Sequence, residues 1–169
     1  MESRAIAHCE KEAATVVKDN NNRFWHRKLG SIGDIEVSLG GRIDGKNDEG
    51  RVIEVKNRLK RFMRPLPKYD VCQLQAYLFI LDAREGELVE HLRQKERRTR
   101  STRLPRDRAY WDRKIAPCLA RFAYSIATFA HSEALQRDFL LRPDSDHRKR
   151  IVRDLMFDSS NTFETRGSL

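Results

Sequence analysis

Residues 35–56 read IEVSLGGRIDGKNDEGRVIEVK, and the fold turns on how this stretch divides. Ile35, Val37 and Leu39 alternate with Asp34, Glu36 and Ser38, the period of a strand with one face buried. That strand is expected to run on through Gly40, Gly41 and Ile43 to Asp44; two adjacent glycines within it suggest a bulge or a close backbone approach. Gly45 to Gly50 is a polar turn cluster, and Arg51 to Lys56 follows as a second strand, so the two should pair as an antiparallel hairpin. Side chains alternate along a strand, which puts Val52, Glu54 and Lys56 on one face and Ile53 and Val55 on the other. Two charged residues thus share a face with a valine.

Working outward, residues 2 to about 18 carry Ile6, Cys9, Ala13, Val16 and Val17 at helical spacing, and Asn20 to Asn22 supply a stop. Residues 23 to 29 read as a strand containing Phe24, with Gly30 to Gly33 as its turn. Downstream, residues 57 to 69 hold several bases, two prolines and no acid, and so form a basic loop. A helix is expected from Lys68 to Asp82 with Val71, Leu74, Leu78 and Leu81 as its stripe, broken by Gly86. Glu87 to Leu92 reads as a strand, and between Arg93 and Arg108 eight of sixteen residues are Arg or Lys. Such a run is solvated, or else it is a strand edge or loop that grips phosphates. A long helix from about Arg106 to Ser132, kinked at Pro117, carries Ile115, Leu119, Phe122, Ala123, Ile126, Phe129 and Ala130, suited to packing across a sheet. Residues 133 to 157 are helical in character, and 158–169 form a polar, loose tail. With no repeat or boundary, residues 1–157 are expected to be a single α/β domain.

The 169 residues include 39% hydrophobic and 35% charged side chains, with a net charge of +9. A surface this basic attracts polyanions, nucleic acid above all, ahead of an anionic membrane or an acidic protein partner. Three scattered cysteines (Cys9, Cys72, Cys118) form no CxxC pair, which excludes the usual zinc-ribbon and iron–sulfur spacings and fits free thiols in a reducing compartment. With neither a signal-like N-terminus nor an apolar span, the expectation is an intracellular, soluble protein of the cytoplasm, nucleus or mitochondrion, with no membrane partner.

Asp44, Glu54 and Lys56 would meet on the hairpin. Phosphodiester hydrolysis uses a hard divalent cation to polarise the phosphate and activate water. Mg²⁺ takes oxygen ligands, with one or two protein carboxylates, and Asp44 and Glu54 supply two. Lys56 would orient or deprotonate the water, or offset transition-state charge, and the backbone carbonyl of Val55 would complete the shell. An Asp followed by Glu-x-Lys also describes a surface hairpin with an ion pair, so the residues alone leave both readings open.

Gly41-Arg42-Ile43-Asp44, then Ile53-Glu54-Val55-Lys56, then Gln73-Leu74-Gln75-Ala76-Tyr77 resemble the GxxD, ExK and QxxxY motifs of the PD-(D/E)XK nuclease superfamily. The QxxxY element is similar to that of its RecB-like and lambda-exonuclease-like branch, and the likeness spans roughly residues 5 to 130. The resemblance implies a restriction-endonuclease-like core, a central mixed sheet flanked by helices. It implies Asp44 and Glu54 as ligands of one or two Mg²⁺ or Mn²⁺ ions, His8 (or Glu10 or Glu12) as an extra ligand, and Lys56 as catalytic. Gln73 and Tyr77, four apart on one helix, would contact the strand or support Lys56. The cluster cysteines of several relatives are absent, so no iron–sulfur cluster is expected.

Arg58, Lys60, Arg61, Arg64 and Lys68 follow the Lys closely and would steer a phosphate backbone, with Arg97, Arg98, Arg100 and Arg103 in the Arg-rich run as further contacts. Phe62 and Tyr69 would stack on unpaired bases. The leading expectation is a metal-dependent DNA exonuclease or end-processing nuclease. An RNA endonuclease or a non-catalytic nucleic-acid-binding or assembly subunit are the alternatives, and a homo-oligomer or a protein partner stays open.

Overall fold

A computed structural model describes residues 23–93, 98–142 and 144–157, which divide into two compact units. The first holds the described residues up to Arg27 together with Leu39–Arg108; the second holds Lys28–Ser38 and the residues from Ala109 onward. The helix expected over residues 2–18 and the tail from residue 158 lie outside the described residues.

β1 (Trp25–Ile32) and β2 (Ile35–Gly41) form a two-stranded ribbon whose turn is Gly33-Asp34, Gly33 standing at φ +60°. The expected turn over Gly30 to Gly33 is therefore later and tighter, and β1 continues through Gly30. Ile35, Val37 and Leu39 are half-buried while Glu36 and Ser38 are exposed, as the alternation requires.

β2 does not reach Asp44. It ends at Gly41, and after Arg42-Ile43-Asp44 the chain enters β3 (Gly45–Lys46), which pairs antiparallel with β4 (Val52–Arg58). The expected hairpin is thus real but short, with Gly45 opposite Ile53 and Lys46 opposite Val52. Its loop is closed by Asn47, whose side-chain oxygen accepts the Arg51 N–H at 2.8 Å, and by Gly50 at φ +76°.

From β4 the chain crosses through α1 (Lys68–Ile80) to β5 (Glu85–Leu92), which lies parallel to β4, and returns antiparallel as β6 (Arg98–Pro105). The result is a mixed four-stranded sheet in the order β3-β4-β5-β6. β4 and β5 pair Val52 with Gly86, Glu54 with Leu88 and Lys56 with Glu90. One sheet face therefore changes character along its length, apolar at Val52 and Leu88, charged at Lys56 and Glu90. α1 covers that face. Leu74 and Leu78 are fully buried against Val52, Leu88 and Ile43.

Gly86 does not break the helix; it lies inside β5. A Cβ there would stand 2.7 Å from Leu74 Cδ1 and 3.1 Å from the Val52 carbonyl, so only glycine lets α1 approach this closely. The helix stops earlier. Asp82 takes the left-handed conformation at φ +52°, and the Asp82 and Ala83 amides donate to the Phe79 and Leu78 carbonyls at 3.3 and 3.0 Å, a Schellman ending without glycine.

A further helical segment opens at Arg108–Tyr110, and in the second unit it passes through a π-helical turn at Trp111–Ile115 and continues as α2 (Ala116–Ala130). Pro117 sits in the first turn of α2, in a helix already under way from Arg108, so its missing N–H and the carbonyl four residues back, that of Arg113, coincide with the π-helical turn. Ala123 and Ala127 are buried whereas Phe122 and Ile126 are each 47% exposed, so the expected apolar set is not all interior. α3 (Glu133–Leu141) and α4 (Ser145–Phe157) follow; Ser132 caps α3 by accepting the Leu135 N–H, and Phe129 meets Phe139 edge-on at 5.4 Å. Neither Cys72 nor Cys118 forms a disulfide. No helix among the described residues is long and apolar enough to cross a membrane.

Candidate active site

The charged end of the α1-covered face brings Asp44, Glu54, Lys56, Gln73 and Tyr77 together. Asp44 is 7% exposed, and its Oδ2 accepts the Val55 backbone N–H at 2.6 Å. This bond carries the β3–β4 contact one step beyond the ladder, at the residue just before β3 begins, so the carboxylate is held by the edge of β4. A strand residue projects its N–H and C=O to the same edge, so the Val55 carbonyl is turned toward Asp44 as well.

Glu54 is 3% exposed. Its Oε1 accepts from Lys56 Nζ at 2.6 Å, while its Oε2 is buried with no hydrogen-bond partner. Burial and, next, the negative charge of Asp44 push the Glu54 carboxyl up from 4.5 to about 7, against the pull of Lys56. A buried carboxylate oxygen left unpaired costs free energy, and it marks a place where a cation would be welcome.

Lys56 Nζ donates to Glu54, donates to Gln73 Oε1 at 2.6 Å and lies 3.7 Å from Asp70 Oδ1. Burial lowers its pKa, but the Glu54 hydrogen bond and the charges of Glu54, Asp70 and Asp44 outweigh that, so the amine is held above its ordinary value as a cation. Gln73 Nε2 in turn donates to the Tyr77 hydroxyl at 3.0 Å. Burial, reinforced by the nearby carboxylates, raises the Tyr77 phenol. The Tyr77 ring lies so close to β2 that a Cβ on Gly41 would be 2.6 Å from its Cε1. That close approach is what the glycine before Arg42 permits.

Two residues escaped the sequence reading. Asp70 and Glu90 are fully buried carboxylates on the same face. Asp70 Oδ2 accepts from Arg58 Nη2 at 2.5 Å; Glu90 accepts from Arg58 Nε at 2.9 Å, from both Nε and Nη2 of Arg100 and from the Met63 N–H at 3.0 Å. Burial raises the Glu90 carboxyl, but the Met63 amide and the two guanidinium groups outweigh it and hold it below the ordinary value. The available signal was the spacing: Asp70, Gln73 and Tyr77 lie on one helical face, and Glu90 shares its strand face with Leu88 and Leu92.

Arg58 and Arg100 are thus half-buried and committed to internal carboxylates, whereas Lys60, Arg61, Arg64, Lys68, Arg98 and Arg103 are exposed. His8 and Arg97, along with Glu10 and Glu12, lie outside the described residues. Among the described residues no three His, Cys, Asp or Glu side chains are grouped to hold a metal ion. Asp44 and Glu54, whose carboxyls lie close enough for the charge of one to act on the other, are the side chains here that could supply oxygen ligands to a hard cation, with the Val55 carbonyl as a further oxygen.

No family model and no curated protein matches the chain. Among solved structures it is similar to the crystal structure of SSO0001, at 20% identity over 79% of this chain and 67% of that one, with a TM-score of 0.48.

Proposed function

We propose that this chain is a divalent-metal-dependent nuclease of the PD-(D/E)XK type, RecB-like branch, acting on DNA as an exonuclease or end-processing enzyme. One observation carries the reading. A buried Glu54 with an unpartnered oxygen lies beside Asp44, and a protonated Lys56 joins it to Gln73 and Tyr77. A merely structural ion pair would not bury a second carboxylate against the first, because like charges so placed oppose each other.

Asp44, Glu54 and the Val55 carbonyl would hold Mg²⁺ or Mn²⁺, and the bound ion supplies Lewis-acid polarisation of the phosphate and a more acidic water. The remaining work falls to the chain. Lys56, held as a cation, offsets negative charge gathering on the phosphate rather than serving as the base. Gln73 fixes the amine's direction and Tyr77 fixes Gln73, so that little reorganisation is needed when substrate arrives.

The test is incubation of end-labelled single- and double-stranded DNA and RNA, and of circular DNA, with Mg²⁺, Mn²⁺ or EDTA. Cleavage of linear DNA only, with metal only, is expected, and both Asp44→Asn and Lys56→Ala should abolish it while strand binding persists. Preferential RNA cutting would move the substrate to RNA. Binding without cleavage under every metal would leave a non-catalytic subunit, and cleavage surviving in folded Asp44→Asn would overturn the site.

A further inference from the structure

The loop between β4 and α1 is not free to move as a basic loop usually is. Its centre, Met63, is gripped on both sides: its N–H donates to buried Glu90 at 3.0 Å and its carbonyl accepts from Arg100 Nη2 at 2.6 Å. Glu90 and Arg100 are paired with each other across β5 and β6. The flanking residues Arg61, Phe62 and Arg64, with Arg100, line an open cleft of about 410 Å³. The Arg100 guanidinium carbon stands 5.1 Å from the Phe62 ring centroid, so a flat cation and a flat ring form one anchored wall.

Arg61 and Arg64 are exposed and make no ion pair among the described residues. Two unneutralised cations beside an aromatic face are the complement of a phosphate joined to a planar base. The volume suits a small ligand rather than a duplex, since such sites run from about 300 Å³ upward. Arg61 is five residues beyond Lys56, which bounds their Cα separation at about 18 Å, a few nucleotides along a strand.

We infer that this cleft is a subsite for one unpaired nucleotide of a single-stranded region, its phosphate on Arg61 and Arg64 and its base against Phe62. Arg100 both walls the subsite and, through Met63, keeps the loop in place. The inference rests on the proposed function only in taking nucleic acid as the substrate. It adds that the strand near the catalytic lysine is read unpaired.

The experiment is fluorescence anisotropy of labelled single-stranded DNA, single-stranded RNA and duplex DNA against the full chain in EDTA, over a salt series. Phe62→Leu keeps apolar volume but removes the ring and should weaken single-strand binding about 5- to 150-fold, with Phe62→Trp restoring it. The double variant Arg61→Ala/Arg64→Ala should flatten the slope of log affinity on log salt by about 0.7 for each phosphate no longer neutralised. Its thermal midpoint should stay unchanged, because neither arginine holds an ionic partner among the described residues. Wild-type affinity and slope in these variants would overturn the subsite. So would an equal loss on duplex, or no oligonucleotide binding by the wild type. Asp44→Asn separates this from the active-site reading: retained binding with lost cleavage supports both, and retained cleavage sinks the active site while leaving the subsite standing.

Discussion

Replacing Glu54 by Gln should make the metal-free protein more stable at alkaline pH. In the fold the Glu54 carboxyl titrates at about 7, against 4.5 when exposed, because it is buried beside Asp44. Between those values the folded state holds a proton that the unfolded chain has released, so stability falls as pH rises. The favourable contribution is fully present below about 4.5 and lost as pH climbs through about 7. At roughly 1.4 kcal/mol per pH unit, that shift amounts to about 3 kcal/mol. Gln is the isostere of the protonated form and its carbonyl can still accept from Lys56. Urea unfolding of both proteins in EDTA should therefore give similar stabilities near pH 4, and the Glu54→Gln variant should lead by an amount approaching about 3 kcal/mol at about pH 8. Mn²⁺ at about a hundred times its Kd should add about 2.7 kcal/mol to the wild type at that alkaline pH, and much less to Glu54→Gln. Parallel pH curves for the two proteins would refute the claim that Glu54 ionises at the expense of the fold.

Gly41→Ala should cost about 1–3 kcal/mol by forcing the Tyr77 ring from its seat 2.6 Å away; denaturant midpoints would show it, and pairing the change with Tyr77→Leu should remove the penalty. Glu90→Gln leaves Arg58 and Arg100 facing a neutral amide in a buried setting, at about 3–5 kcal/mol. Hydrogen exchange at the Met63 amide should accelerate in the same variant, and an unchanged rate would show that Glu90 does not hold the loop. In steady-state assays Gln73→Ala should lower kcat more than it raises KM, because Gln73 orients Lys56 rather than gripping substrate.

The elements themselves were legible because their causes are local. Alternation in Ile35–Leu39 and the helical spacing of Leu74 and Leu78 survive in the fold, since each segment buries one face of its own period. The meeting of Asp44, Glu54 and Lys56 was foreseeable from the hairpin, whereas that of Gln73 and Tyr77 with them was foreseeable only from the ordered motifs. Other features depended on pairing between distant segments. Gly86 reads as a helix breaker until β5 is laid beside Val52 and under Leu74, where it becomes the point of closest approach. Arg58 and Arg100 read as solvent-facing bases until a parallel crossover sets Glu90 opposite Lys56 and Asp70 above Arg58, turning both inward. By itself the sequence determined where strands and helices form and which residue types could do chemistry. Only the tertiary structure decided which charges face one another, because burial and partnership belong to the packed sheet face and not to any stretch of chain.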